Sequence, residues 1–124
     1  MSTTDLVNME RALKICGANQ ELFKDLMVII LGTIPERIEL LETFLEEENW
    51  EDLDFQTHKY KGALRNICAD QAVEICQSLE VAVKKKDLPK SKALIQSLDE
   101  NGKNLEVWFK GGEWKQAFLE PTNT

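Results

Sequence analysis

The sequence predicts an all-α protein: an antiparallel four-helix bundle with a short extra N-terminal helix. Three observations carry that expectation. Apolar residues recur at helical spacing along five stretches and nowhere alternate with polar ones over any length. Asn19, Asn49, Asp70 and Asp87 stand as cap residues just ahead of four of those stretches. No Asn-Gly or Asp-Gly pair joins two apolar runs as a hairpin would require. At 124 residues the chain reads as one domain, 1–124, with a core over about 5–110 and a C-terminal extension over 111–124.

Residues 5–15 form the short first helix, with Leu6, Met9, Leu13 and Cys16 at helical spacing and Gly17 just past its end. Asn19 caps a long second helix whose stripe is Phe23, Met27, Ile30, Ile34, Ile38, Leu41 and Leu45, with Glu21 at the favourable end of the dipole. Pro35 removes one backbone donor inside that stretch, which predicts a kink or a short break. Glu46, Glu47 and Glu48 oppose the dipole at a helix C-terminus and favour a prompt stop at Asn49. Asn49 caps a third helix over about 50–67, with Asp52 in a capping-box-like position. Asp70 caps a fourth, whose inner face is Val73, Cys76, Leu79 and Val83 with Ala72 and Ile75 beside it, and whose last turn holds Lys84, Lys85 and Lys86. Asp87-Leu88-Pro89 starts the fifth, striped by Leu94, Leu98, Leu105 and Trp108, with Asn101-Gly102 as a weak point. Gly111-Gly112 ends the bundle. Trp114 and Phe118, four apart, predict a final amphipathic turn that packs back, and residues 121–124 are expected to fray.

Composition excludes several classes. The longest apolar run, Leu26 to Leu31, is far too short to span a bilayer, and the N-terminus lacks the basic patch and apolar core of a signal peptide, so a cytoplasmic protein is expected. Cys16, Cys68 and Cys76 are odd in number and irregularly spaced, so they read as small buried hydrophobes rather than a disulfide framework. One histidine and no CxxC pair argue against a metal site. The net charge of −7 argues against nucleic acid and anionic lipid as partners. It is unevenly spread: residues 1–57 are net −9, whereas residues 58–70 are net +2, a basic island suited to a small anion.

That island contains the one histidine. With roughly 100° per residue, Leu53, Thr57, Tyr60, Leu64 and Ile67 form one buried stripe of the third helix, and His58 lies nearly opposite it. Lys61, Gly62, Arg65 and Asp54 fall within about 60° of His58, with Phe55 at the edge of the sector. Gly62 costs a helix interior up to about 1 kcal/mol relative to alanine. That cost has no structural purpose on a solvated face; it has one if something must approach the imidazole closely. Lys61 and Arg65 are placed to reach an anion held on the ring. There is no nucleophile paired with a base and an orienter, no Gly-rich phosphate cradle and no evident carboxylate pair, so an autonomous hydrolase is excluded.

The segment His58-Lys59-Tyr60-Lys61-Gly62-Ala63 closely resembles the His-x-x-Lys-Gly-(Ser/Ala) signature of histidine-containing phosphotransfer (HPt) domains, and Asn66-Ile67 and Ala69 continue it in register. The likeness covers about residues 5–107. It implies an HPt-like bundle in which His58 accepts a phosphoryl group from a receiver-domain phosphoaspartate and passes it to another receiver's aspartate. It also implies that Lys61 steadies the phosphoryl oxygens and that Gly62 leaves room for the partner's active site. The domain would act as a phosphoryl carrier without catalytic activity of its own, needing no cofactor; the acidic pocket and Mg²⁺ would belong to the receiver. Implied partners are response-regulator receiver domains and a hybrid sensor histidine kinase, met by a monomer. Met1 and the compact length favour a free-standing protein.

The chain departs from that pattern at Cys68, where glycine is usual, and at Leu64 and Arg65, which replace small residues. Arg65 and Lys84 are further candidates for phosphate contacts. Phe55, Lys59 and Val7 are candidates for partner docking. The alternative reading is a pseudo-HPt adaptor that binds receiver or kinase domains without phosphotransfer; His58 together with Lys61 stands against it.

Overall fold

A computed structural model describes residues 5–119. Six helices follow one another: α1 (Met9–Ile15), α2 (Gln20–Glu46), α3 (Trp50–Asn66), α4 (Asp70–Lys84), α5 (Leu88–Gly111) and α6 (Lys115–Leu119). Among the described residues there is no strand. The four long helices form a square: α2 and α4 each pack against both α3 and α5, and α1 touches α6 at one end. All seven apolar residues of the α2 stripe are buried, from Phe23 to Leu45. They meet Leu53, Tyr60 and Leu64 of α3, Cys76 and Leu79 of α4, and Ile95, Leu98 and Leu105 of α5 in one continuous core.

The caps explain where the helices begin. Asn19, Asn49 and Asp87 each accept a hydrogen bond from the backbone N–H three residues on, at Leu22, Asp52 and Lys90. At α3 the Asn49 amide also donates to the Asp52 carboxylate at 2.7 Å, which ties the first turn twice. Three of the helix ends are equally regular. Ile67-Cys68-Ala69, Glu47-Glu48-Asn49 and Lys85-Lys86-Asp87 each form a three-residue connection with the middle residue in the left-handed region, at φ 56°, 52° and 54°. In each, the middle N–H and the one after it bond back to the preceding turn: Cys68 to Arg65 and Ala69 to Leu64, for example. These are Schellman closures, built here without glycine. Cys68 therefore stands where only glycine is free of strain, and it occupies that place with its side chain buried.

Several expectations are corrected. The first helix begins at Met9, capped by Asn8, instead of at residue 5. Pro35 does not break α2, which runs unbroken for 27 residues; the proline sits on the exposed side, where an unpaired carbonyl can be met by water. Asp70 is the first residue of α4, not its cap; the cap position is Ala69, which has no side-chain hydrogen bond to offer. The Asp70 carboxylate instead forms a two-pronged ion pair with Arg11 and accepts from Asn8, pinning α1 over the α3–α4 turn. Val73 is only half-buried, and Ala82 joins the α4 face instead. Asn101-Gly102 is a packing contact, not a weak point. Both residues are buried, and a Cβ on Gly102 would lie 2.7 Å from Ile34 Cγ2, so the absent side chain lets α5 close on α2. The predicted turn holding Phe118 is α6, while residues 121–124 lie outside the described residues.

Candidate functional site

The predicted buried stripe of α3 is buried: Leu53, Thr57, Tyr60, Leu64 and Ile67 are all at most 1% exposed. This fixes the helix's rotation and turns His58 outward, with its side chain 70% exposed. Gly62, one turn along, is exposed too, and a Cβ built there would meet nothing within 4 Å. Its lack of a side chain therefore relieves no contact inside the chain. The space above it is open to a visitor.

The imidazole is held from one side. His58 Nδ1 lies 3.2 Å from Glu80 Oε2 on α4, and Lys61 Nζ lies 2.7 Å from Glu80 Oε1. Burial alone would push the Glu80 carboxyl up, but hydrogen bonds from Lys61 and His58, together with their charge, hold it below the usual carboxylate range. An ionised carboxylate can only accept, so the proton on a neutral His58 sits on Nδ1. Nε2 then carries the free lone pair and faces away from α4. Beneath this group lies Cys76, whose thiol is pushed up to about 12 by burial and by the neighbouring Glu80 charge, so it stays protonated. The Cys16 and Cys68 thiols are also pushed up by burial, and all three cysteines are free and buried.

Lys61 was placed by spacing on the polar face beside His58. It is on that side of the helix but largely buried, with 11% of its side chain exposed and its ammonium bound to Glu80. Glu80 is the residue that reasoning from the sequence left out of the site. The signal was present: stepping outward from the turn at 67–69 along both helices brings residue 58 opposite about residue 78, within one helical turn of Glu80.

The other candidates separate. Phe55 is 58% exposed, and the Lys59 ammonium lies 5.4 Å from its ring centroid, a cation–π contact. An open depression of about 610 Å³ beside His58 is lined by Glu51, Asp52, Asp54, Phe55, Glu80 and Lys84. Arg65 is exposed on the opposite flank, beyond Gly62. Val7 does not extend the surface patch: it is 5% exposed, part of the core beneath α1, because the bend before Met9 turns it inward. Among the described residues no helix is long and apolar enough to cross a membrane.

Comparison with known families agrees with the helical bundle. The chain matches the Hpt domain over residues 25–118, which takes in α3, α4 and α5 entire and most of α2. Comparisons with curated proteins and with solved structures found no match. An exposed histidine on the third helix of a bundle, an open glycine one turn on and a matching family profile across most of the chain lead to one statement: the chain belongs to the Hpt domain family.

Proposed function

We propose that this chain is the phosphoryl-carrying intermediate of a multistep phosphorelay, taking a phosphoryl group onto His58 from a receiver-domain phosphoaspartate and passing it to another receiver's aspartate. Membership of the family gives the coarser part, a phosphotransfer-related role in two-component signalling, since Hpt domains are phosphocarrier modules that interact with receiver and kinase domains. The observation that carries the finer reading is the imidazole itself: exposed, open above Gly62, and held at Nδ1 by Glu80.

The step follows from that arrangement. The Nε2 lone pair of neutral His58 attacks phosphorus, the bond from phosphorus to the acyl oxygen breaks, and its electron pair leaves with the aspartate carboxylate. No proton has to move, because Nδ1 keeps its own. The ring becomes cationic as the N–P bond forms, and the Glu80 carboxylate beside Nδ1 stabilises that charge. Return transfer reverses each bond change. The Mg²⁺ and acidic pocket that such a transfer uses are assigned to the receiver, so this chain acts as carrier and docking surface, as a cytoplasmic monomer. Phe55 supplies an apolar contact for docking, and Lys59 accompanies it.

Incubation with a phosphorylated receiver domain tests the reading. Label should move to the wild-type chain and fail to move to His58→Gln. Label that persists on His58→Gln, or never reaches the wild type from any receiver offered, would overturn it.

A further inference from the structure

The cations around His58 are not equivalent, and each can be accounted for. Lys61 is bound to Glu80 at 2.7 Å and is largely buried. Lys59 lies over the Phe55 ring. Lys84 shares its depression with Glu51, Asp52, Asp54 and Glu80, four carboxylates against one ammonium. Arg65, like Lys84, is exposed and takes part in no ion pair and no side-chain hydrogen bond among the described residues, but unlike Lys84 it does not line the acidic depression.

The same contacts divide the surface around the imidazole into two flanks. Towards the start of α3 lies the acidic depression, which repels a phosphoryl dianion. Towards the end of α3 lie Gly62 and Arg65, about 40° and 20° from His58 round the helix axis. Arg65 is two turns along, a rise of about 10.5 Å, and side chains on a helix lean towards its N-terminus, so a stem as long as arginine's can be extended across Gly62 towards the ring. No side chain stands in that path, since Gly62 has none and open space lies above it.

We infer that Arg65 is the residue of this chain that meets the phosphoryl group on His58, and that Lys61 works through Glu80 as a positioning residue. The inference rests on the phosphoryl-carrier reading and departs from the assignment that the signature lysine would otherwise receive. The physical reason is charge: the Lys61–Glu80 pair is close to neutral as a unit, whereas the Arg65 guanidinium is uncompensated and offers a planar pair of donors that matches phosphoryl oxygens.

The test uses two donors, so that the inference does not depend on finding the right receiver. His58, the only histidine of the chain, is phosphorylated chemically with phosphoramidate, and the half-life of phosphohistidine is followed by ³¹P nuclear magnetic resonance. Transfer from a phosphorylated receiver is measured alongside. Arg65→Ala should shorten the half-life roughly tenfold or more, and Arg65→Lys should restore part of it. Lys103→Ala and Lys110→Ala, which remove the same formal charge from α5 across the bundle, should leave the half-life within about twofold of wild type. Lys61→Ala should slow uptake from either donor but leave the half-life within about twofold, with Lys61→Arg recovering uptake. Equal half-lives for wild type and Arg65→Ala would overturn the inference, as would a half-life shortened more by Lys61→Ala than by Arg65→Ala. If chemical labelling shows the Arg65 effect but no receiver transfers, the relay reading fails and this inference stands; if phosphoramidate leaves His58 unlabelled, both fall.

Discussion

On the proposed phosphoryl-carrier reading, a carboxylate decides which imidazole nitrogen of His58 reacts. Glu80 holds the proton on Nδ1, and Lys61 holds Glu80, so three side chains on two helices fix one lone pair. Replacing Glu80 by glutamine leaves an acceptor in place but removes the charge that would stabilise a phosphorylated ring; on that reading uptake by His58 should fall several-fold with the fold intact. Replacing it by leucine goes further, because it also strands the Lys61 ammonium. A fully buried unpaired charge costs about 3–5 kcal/mol, but the Lys61 stem is long enough to carry its ammonium towards water, so a loss of about 1–2 kcal/mol is expected. Stopped transfer kinetics and chemical denaturation on the two variants separate the effects. Equal uptake by wild type and Glu80→Leu would remove Glu80 from the site. The exposed direction of His58 was legible in the sequence because the apolar spacing of α3 fixes its rotation. Glu80 was legible only to within a helical turn, by counting outward from the connection at 67–69, because the exact partner depends on the register of α4 against α3, which no single helix reveals.

At the scale of the element, the three-residue connections are the least legible part of the sequence. Glycine after a helix is the readable signal, and Gly17 and Gly112 carry it, both at positive φ. Glu48, Cys68 and Lys86 do the same work with side chains attached, since the two backward hydrogen bonds of each closure outweigh the local strain. Glycine at Glu48 or at Lys86 should therefore stabilise the protein. Relief of about 1–2 kcal/mol of left-handed strain, less the entropy that glycine adds to the unfolded chain, leaves roughly 0.5–1 kcal/mol in each case. Glycine at Cys68 should do less or destabilise, because the Cys68 side chain is 1% exposed and its removal leaves a hole beside α1. Thermal unfolding of the three single variants gives the order directly; a Cys68→Gly gain equal to the other two would mean that the buried thiol contributes no packing. The same element-level blindness explains Asp70. As a capping type just before an apolar stripe it read as a cap, but Arg11 and Asn8, sixty residues earlier, take its carboxylate.

At the scale of the whole molecule, the helix count and the core stripe of α2 were legible, because amphipathic spacing is a local property that packing then obeys. The return of the tail after Gly112 was legible too, from the spacing of Trp114 and Phe118: both rings pack at a tilt against Phe23 of α2, and the Trp114 indole donates to the Phe109 carbonyl. What was not legible is how α1 is tied down. At the α3–α4 turn, α1 is held by the Arg11–Asp70 pair. That pair and the site pair share a dependence on pH. The Asp70 carboxyl is held below its usual range by the hydrogen bond from Arg11, and Glu80 by Lys61 and His58 against the opposing effect of burial. Both groups thus bind a proton less readily folded than unfolded. Their contribution is complete above the ordinary carboxylate range, roughly pH 4, and is lost as pH falls through the lower folded-state values. The melting temperature should accordingly hold level on mild acidification from neutrality and then drop below about pH 4. Asp70→Asn should melt lower at neutral pH and show a shallower acid limb, since the group whose protonation is penalised is gone. An acid limb in Asp70→Asn as steep as in wild type would assign the acid sensitivity to other carboxylates and leave the α1 latch without a share in it.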